Sequence, residues 1–337
     1  MPKITIISPY HNRAQAVRLT LASVARQSFD DFEALIWDDG STDETWDMLQ
    51  SVQVELGDNR IKVYRHQPNI GLTAGLNDAI ARAEGEYIAV LGSGDECAPD
   101  RLAKQAAALD ADPEARFCAC RSVTVDEVSG KRFSDEHFSG EIIRTADISE
   151  VCPFTHGSVM YRKSALEAVG GYDSIFKWCA DWDVFFRLLD GGHAVYLPED
   201  LYIRYARMDG VSFAPKKSVE QIKSKHLVLA LAQLGDESRE ALKQKVRDQG
   251  LTQALRPRHP EITGDLRARQ VKLILMGRTE PAAELGRLID AEFGQTPKWR
   301  VMLGGARALA ALPVDSDRLI AMARKLKSGL TPSRSGA

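Results

Sequence analysis

Phe32-Glu33-Ala34-Leu35-Ile36-Trp37-Asp38-Asp39-Gly40-Ser41-Thr42-Asp43-Glu44 is the stretch that decides the fold. Its first six residues read as a strand, and two carboxylates follow at the strand's end. Adjacent side chains on a strand point to opposite sides. One carboxylate can therefore face a crevice and accept a base N–H or a ribose hydroxyl, while its neighbour caps the next helix. Ser41 with Glu44 three residues later reads as a capping box opening a helix that carries Trp46 and Leu49.

The same alternation runs outward in both directions. Residues 4–8 form a short apolar run and residues 14–26 have helical spacing (Val17, Leu21, Val24). Downstream, residues 61–64 and 87–91 read as strands flanking a helix at 72–83. This order predicts an α/β fold with a mostly parallel central sheet and helices on both faces, whose ligands bind beyond the carboxyl ends of the strands. After Asp126 the alternation breaks. A polar hairpin at 129–131 is followed by a strand at 157–161, a helix at 164–169 with its own Ser164/Glu167 box, a helix at 181–189 and a strand at 193–196. From about residue 218 the remaining segments are all helical, and residues 329–337 read as a disordered tail. The expected division is residues 1–215, an α/β catalytic domain; 216–328, an all-α C-terminal domain; and 329–337, the tail.

Composition narrows the class. The chain has 337 residues, 44% of them hydrophobic, enough for one large domain or two medium ones. Five cysteines (Cys97, Cys118, Cys120, Cys152, Cys179) form no Cys-x-x-Cys pair and no zinc or disulfide framework, which fits a reducing compartment. The apolar run at the N-terminus is too short for a signal peptide, and no run of 18 apolar residues occurs. A cytoplasmic protein is the expectation. Charge is divided unevenly: residues 216–337 carry 23 Lys and Arg against 13 Asp and Glu, whereas residues 1–215 carry 21 against 34. With no run of five like charges, solvated helix faces are the favoured reading of this asymmetry over an anionic partner.

Four constellations sit where the topology places a ligand. Ser8-Pro9-Tyr10-His11-Asn12-Arg13 follows the first strand and offers rings for stacking on a nucleobase. Asp38-Asp39-Gly40-Ser41 follows the second. Leu91-Gly92-Ser93-Gly94-Asp95-Glu96 ends the fourth, and its glycines let a carboxylate approach a metal-diphosphate closely. Gly170-Gly171-Tyr172-Asp173 leads to Ala180-Asp181-Trp182-Asp183, where a carboxylate at a helix start could act as a general base.

In order and spacing, these constellations resemble the family-2 glycosyltransferases over residues 3–212, together with Asn69-Ile70-Gly71, Asn77 and residues 83–88. The resemblance implies a GT-A type fold and inverting transfer of a sugar from a nucleotide-diphosphate donor, UDP being the leading choice, to a glycan or lipid-linked acceptor in surface polysaccharide or glycolipid synthesis. It assigns Asp181 as catalytic base and Pro9, Tyr10, His11, Asn12, Asp39, Ser93, Gly94, Asp95 and Arg207 to the donor. His156, Trp182 and Asp183 go to the acceptor side, and Asp95 to a divalent cation, Mg²⁺ or Mn²⁺.

The departures are specific. Gly92 and Gly94 stand where the family usually has acids, so only Asp95 remains of that cluster. Arg207 stands where a metal-binding histidine is common. Arginine binds phosphate in a fork but cannot ligate a metal, so Arg207 is expected to take over part of the charge neutralisation. Two alternatives are a sugar nucleotidyltransferase, which would want a Gly-rich loop with Lys or Arg after the first strand, and a degenerate scaffold. Gln295-Thr296-Pro297-Lys298-Trp299 approximates a motif of processive synthases but lies far from Asp181 with no membrane span after it, and is read as chance. The basic C-terminal region is expected to dock on an anionic membrane surface, shield the sheet or form a homodimer; nucleic acid is not an expected partner.

Overall fold

A strand that is apolar on both sides must lie inside a sheet covered on both faces. The run at the N-terminus meets that condition. In the computed structural model, which describes residues 1–127, 130–134, 138–150, 152–206, 214–295 and 297–311, β1 (Ile4–Tyr10) is buried along almost its whole length. It lies between β2 (Phe32–Asp39) and β4 (Tyr87–Val90), parallel to both, with Ile4 opposite Phe32 on one side and Tyr87 on the other. β3 (Ile61–His66) adds in parallel outside β2. Helices α1 (Val17–Ala25), α2 (Thr45–Leu56) and α3 (Leu72–Arg82) supply the crossovers.

The resulting order, β3-β2-β1-β4, places the functional crevice. The chain steps outward from β1 to β3, then returns to the other side of β1 for β4. Loops leaving β1 and β4 consequently diverge, and the gap at their carboxyl ends is where open α/β sheets take ligands.

The second half of the sheet is mixed. It continues through β9 (Val159–Arg162), β6 (Ala115–Asp126), β10 (His193–Ala206) and β5 (Glu96–Cys97). β9 is antiparallel to both β4 and β6, whereas β6 and β10 run parallel over most of their length. Short strands β7 (Arg132–Ser134) and β8 (Ile142–Ile143) pair antiparallel with β6 and β10. Helices α4 (Arg101–Ala111), α5 (Lys163–Ala168) and α6 (Ala180–Leu189) complete this half.

Neither expected capping box forms. α2 begins at Thr45, whose N–H is held by Asp43 Oδ1 at 3.0 Å, and Ser41 Oγ accepts from Asn12 N instead. α5 begins at Lys163, so Ser164 already lies inside the helix. β10 is far longer than the strand expected at 193–196, because it passes through Pro198-Glu199-Asp200 with register shifts against β6. Those three residues carry turn chemistry, which the sheet absorbs as a bulge.

One buried cation knits the two halves of the sheet. Arg101, fully excluded from solvent, donates to the carbonyls of Val90 (3.0 Å) and Val159 (3.3 Å), to Gln105 Oε1 (2.9 Å) and to Cys97 Sγ (3.1 Å). Its guanidinium also lies over the Tyr202 ring, 5.2 Å from the centroid. Gln105 extends the network to the carbonyls of Cys118 and Ser158.

The chain divides into two compact units, Met1–Arg207 with Leu231–Leu234, and Met208–Ala230 with Gly235–Ala337. Described elements of the second unit are helices: α7 (Pro215–Leu231), α8 (Asp236–Gln249), α9 (Leu251–Ala254), α10 (His259–Leu275), α11 (Thr279–Phe293) and α12 (Pro297–Ala310). α10 and α11 pack through Leu266, Leu273, Leu285 and Ile289, and Gly286 leaves room for the Gln270 amide, which donates to Ala282 O at 2.9 Å. No helix among the described residues is long and apolar enough to cross a membrane. The expected tail at 329–337 lies outside the described residues.

Replacing Arg101 with Leu strands several buried acceptors at once. At about 1–3 kcal/mol for each unsatisfied group, Arg101→Leu is expected to lower unfolding free energy by at least ~3 kcal/mol, measured by urea denaturation.

Candidate active site

At the carboxyl ends of β1, β2 and β3, three loops are tied together by bonds between side chains and backbone. Asn12 takes a left-handed conformation (φ 51°), which asparagine tolerates, and so turns its amide toward the β2 loop. Its N–H donates to Ser41 Oγ at 2.8 Å and its Oδ1 accepts from Thr42 N at 2.9 Å. His11 Nδ1 lies 3.0 Å from the Asp39 carbonyl, which also accepts from Asn69 Nδ2 at 2.6 Å.

The two adjacent carboxylates divide their work. Asp38 is fully buried, accepts the Ser41 N–H on both oxygens and pairs with Arg65 Nε at 2.8 Å. Asp39 accepts Ile70 N and Gly71 N, one on each oxygen at 2.9 Å, and so holds the start of α3. Close approach of these loops requires Gly40, where a Cβ would come within 2.7 Å of Asn69 N.

Tyr10 corrects an expectation. Alternation along β1 turns its ring into the core at 1% exposure, so it cannot stack on a base; Pro9, half-buried on the other face, and the exposed His11 remain in the crevice.

Across the switch point, Gly92–Asp95 form a tight turn in which Asp95 N donates to Gly92 O at 3.1 Å. Gly94 has φ +87°, the positive angle that the third residue of such a turn needs, and its N–H donates to Thr20 Oγ1 at 2.9 Å. Ser93, half-buried, sits at the tip. The Asp95 carboxylate accepts from Tyr202 Oη (2.6 Å) and Tyr205 N (3.1 Å).

Among the described residues, no three His, Cys, Asp or Glu side chains converge as a metal site. One carboxylate on a Gly turn does fit a hard cation that keeps several waters and takes its remaining ligands from substrate phosphates. Arg207 lies outside the described residues.

At the start of α6 the structure separates three residues that the sequence grouped. Trp182 and Asp183 are 7% and 6% exposed, so they do not line an acceptor surface. Trp182 Nε1 donates to Ile148 O at 2.9 Å. Asp183 accepts Arg187 Nη2 at 2.6 Å, and Arg187 also donates to the carbonyls of Val169 and Gly171, which fixes α6 against the loop before it. Asp181, in contrast, is half-buried and has no hydrogen-bond or ion-pair partner among the described residues. It lies in the first turn of α6.

Around Asp181 the titratable groups are neutral. His156, half-buried, lies with Nε2 2.6 Å from Tyr172 Oη, which in turn is 3.3 Å from Tyr161 Oη. Burial pushes both phenols well above their ordinary range, and the Asp181 charge adds to the shift. Burial lowers the His156 pKa, against the opposing pull of Asp181. Asn77 holds Tyr172 in place by pairing with its N–H and its carbonyl, at 2.9 and 2.8 Å. Tyr161 was not read from the sequence, and Tyr172 only as part of a motif; an isolated tyrosine gives no signal that it will be buried beside a carboxylate.

The α/β sheet, the switch-point crevice and the carboxylates at its strand ends form the arrangement in which open α/β sheets take ligands. Comparison makes the class specific. A family profile described as Glycosyl transferase family 2 matches residues 5–170. "Putative glycosyltransferase EpsE" of Bacillus subtilis (strain 168) is 30% identical over 206 residues, covering 60% of this chain and 72% of that protein. Chondroitin synthase of Pasteurella multocida (strain Pm70) is 27% identical over 233 residues, 68% of this chain but 23% of the synthase. Among solved structures, S. aureus TarS 1–349 in complex with UDP aligns over 98% of this chain and 93% of that one, with TM-score 0.56 and 19% identity. Mannosyltransferase PcManGT from Pyrobaculum calidifontis, in complex with GDP-Man and Mn²⁺, aligns over 97% and 85%, with TM-score 0.56 and 16% identity. This chain belongs to the family 2 glycosyltransferases, with a GT-A type fold, and is a glycosyltransferase.

His156 gives the site a pH signature. Because its folded pKa lies below the ordinary 6.5, an unfolded chain takes up a proton that the folded one refuses. Its contribution is therefore complete above pH 6.5 and is lost as pH falls through the folded pKa. Urea melts at pH 7.5 and 5.5 are expected to differ less in His156→Gln than in wild type.

Proposed function

We propose that the protein transfers a sugar, with inversion, from a nucleoside diphosphate donor to a hydroxyl of a surface glycan or lipid-linked acceptor, and that Asp181 is the general base. The supporting observation is the state of that carboxylate. It is the acid at the start of α6 left without a hydrogen-bond or ion-pair partner among the described residues, whereas Asp183, two positions on, is locked to Arg187. Burial holds His156 and Tyr172 beside it toward their neutral forms, so neither competes with an acceptor hydroxyl as an ion-pair partner for the carboxylate.

In the proposed step, the Asp181 carboxylate takes the proton of the acceptor hydroxyl as its oxygen bonds to C1 of the sugar. The C1–O bond to the diphosphate breaks, and the nucleoside diphosphate leaves with the electron pair. Asp39 and the 9–12 loop bind the nucleobase end, and the three interlocked loops hold that pocket in shape before the donor arrives. Asp95, with the donor's phosphates and water, would hold a divalent cation, which neutralises charge on the leaving group. The relatives in polysaccharide synthesis and the structural neighbours with UDP and GDP-Man support a sugar nucleotide donor and a glycan acceptor.

Asp181→Asn is expected to cut turnover by roughly 10²- to 10⁴-fold while donor affinity, measured by calorimetry with the nucleoside diphosphate, stays within about twofold of wild type. Wild-type turnover in this variant removes Asp181 from the mechanism.

The excess of basic residues after 215 supports a second element of the proposal, docking on an anionic membrane near a lipid-linked acceptor. Flotation with liposomes is expected to rise with anionic lipid content and fall with salt. Binding indifferent to both removes this element.

A further inference from the structure

Gly92 occupies a position where an acid would strengthen a cation site, and the structure supplies a physical reason for its smallness. A Cβ at Gly92 would lie 2.6 Å from Asp95 Oδ2 and 3.0 Å from Tyr202 Oη. The space is already taken by the tyrosine hydroxyl, which donates to Asp95 Oδ2 at 2.6 Å and accepts from Gly92 N at 3.1 Å. Gly157, on the turn that also carries His156, clears the other side: a Cβ there would fall 1.9 Å from Tyr202 Oη. Two glycines from different loops therefore make the channel through which one side chain reaches Asp95.

Tyr202 itself is rigid. It is 1% exposed, paired through β10 with Ser122 of β6 and Cys97 of β5, and the Arg101 guanidinium lies over its ring. Tyr205, three residues on, presents its N–H to the other Asp95 oxygen, and its hydroxyl donates to Glu96 Oε1. The carboxylate is thus clamped at both oxygens by one strand.

We infer that Tyr202 is the positioning residue of the cation and diphosphate site: it fixes the single remaining carboxylate of the Gly92–Asp95 turn in one orientation, the task that neighbouring acids would otherwise share. This rests on the reading of Asp95 as a cation ligand. A lone carboxylate that must be immobilised when a cation and a donor bind loses affinity to that ordering, and one already held by a charge-assisted hydrogen bond does not.

The test uses the full chain and Mn²⁺ titrated calorimetrically in the presence of UDP, alongside KM values for donor and acceptor. Tyr202→Phe removes only the hydroxyl. It is expected to weaken Mn²⁺ binding about tenfold and raise donor KM, with acceptor KM unmoved, a division that general destabilisation would not produce. If Tyr202→Phe does not fold, Gly92→Ala, which crowds the same hydroxyl and carboxylate, is expected to give the same division. Asp95→Ala separates the two levels. Loss of Mn²⁺ binding in Asp95→Ala with wild-type binding in Tyr202→Phe, or in Gly92→Ala where that variant takes its place, overturns the role of Tyr202 and leaves Asp95 as ligand. Wild-type binding in Asp95→Ala overturns both.

Discussion

A guanidinium buried where five elements meet is the constraint on which the sheet unit depends. Arg101 binds no carboxylate among the described residues; its donors go to a sulfur, an amide oxygen and two main-chain carbonyls, and its face to an aromatic ring. Burying a charge is expensive unless every direction of its field is answered. Here the answer comes from β4, β5, β9 and β10 together. One residue on α4 therefore ties these paired strands together, and with them the turn at the end of β4 and the strand that holds its carboxylate.

Where the sequence was legible, periodicity and strand-end chemistry spoke with one voice. β1 to β4 and their helices could be read because buried runs such as residues 4–8 alternate with helical spacing such as Val17, Leu21 and Val24. β6 escaped because four of its buried positions, Ala115, Cys118, Ala119 and Cys120, lack branched or aromatic bulk, and Phe117 and Val123 stand too far apart among them to mark a strand. The far half of β10 escaped for the opposite reason: Pro198-Glu199-Asp200 announces a turn that a register shift absorbs. Site residues divide in the same way. Asp39, Asp95 and Asp181 could be placed at strand and helix ends, whereas the inward direction of Tyr10, Trp182 and Asp183 depends on which face the finished sheet and helix bury.

The surroundings of Asp39 and those of Asp181 are built on different principles. Around Asp39 nearly every polar atom is already bonded, in a lattice of Asn12, Ser41, Thr42, Asn69 and main-chain amides. Such a pocket gains affinity by losing little freedom on binding. Around Asp181 the surroundings are tyrosine rings and an imidazole, and the carboxylate has no hydrogen-bond or ion-pair partner among the described residues. In the proposed mechanism the first region recognises the donor and the second carries the reaction.

The clearance around the Tyr202 hydroxyl also bears on how such a site can change by descent. Restoring an acid at position 92 meets the tyrosine, and enlarging position 157 meets it from the other side. Neither step is open as the site stands, position 92 meeting the Asp95 carboxylate as well, and losing the tyrosine first takes one of the donors that hold Asp95. The three positions form an epistatic lock in which the order of substitutions matters more than their number. A lineage that entered this arrangement would leave it only through an intermediate weaker than either end.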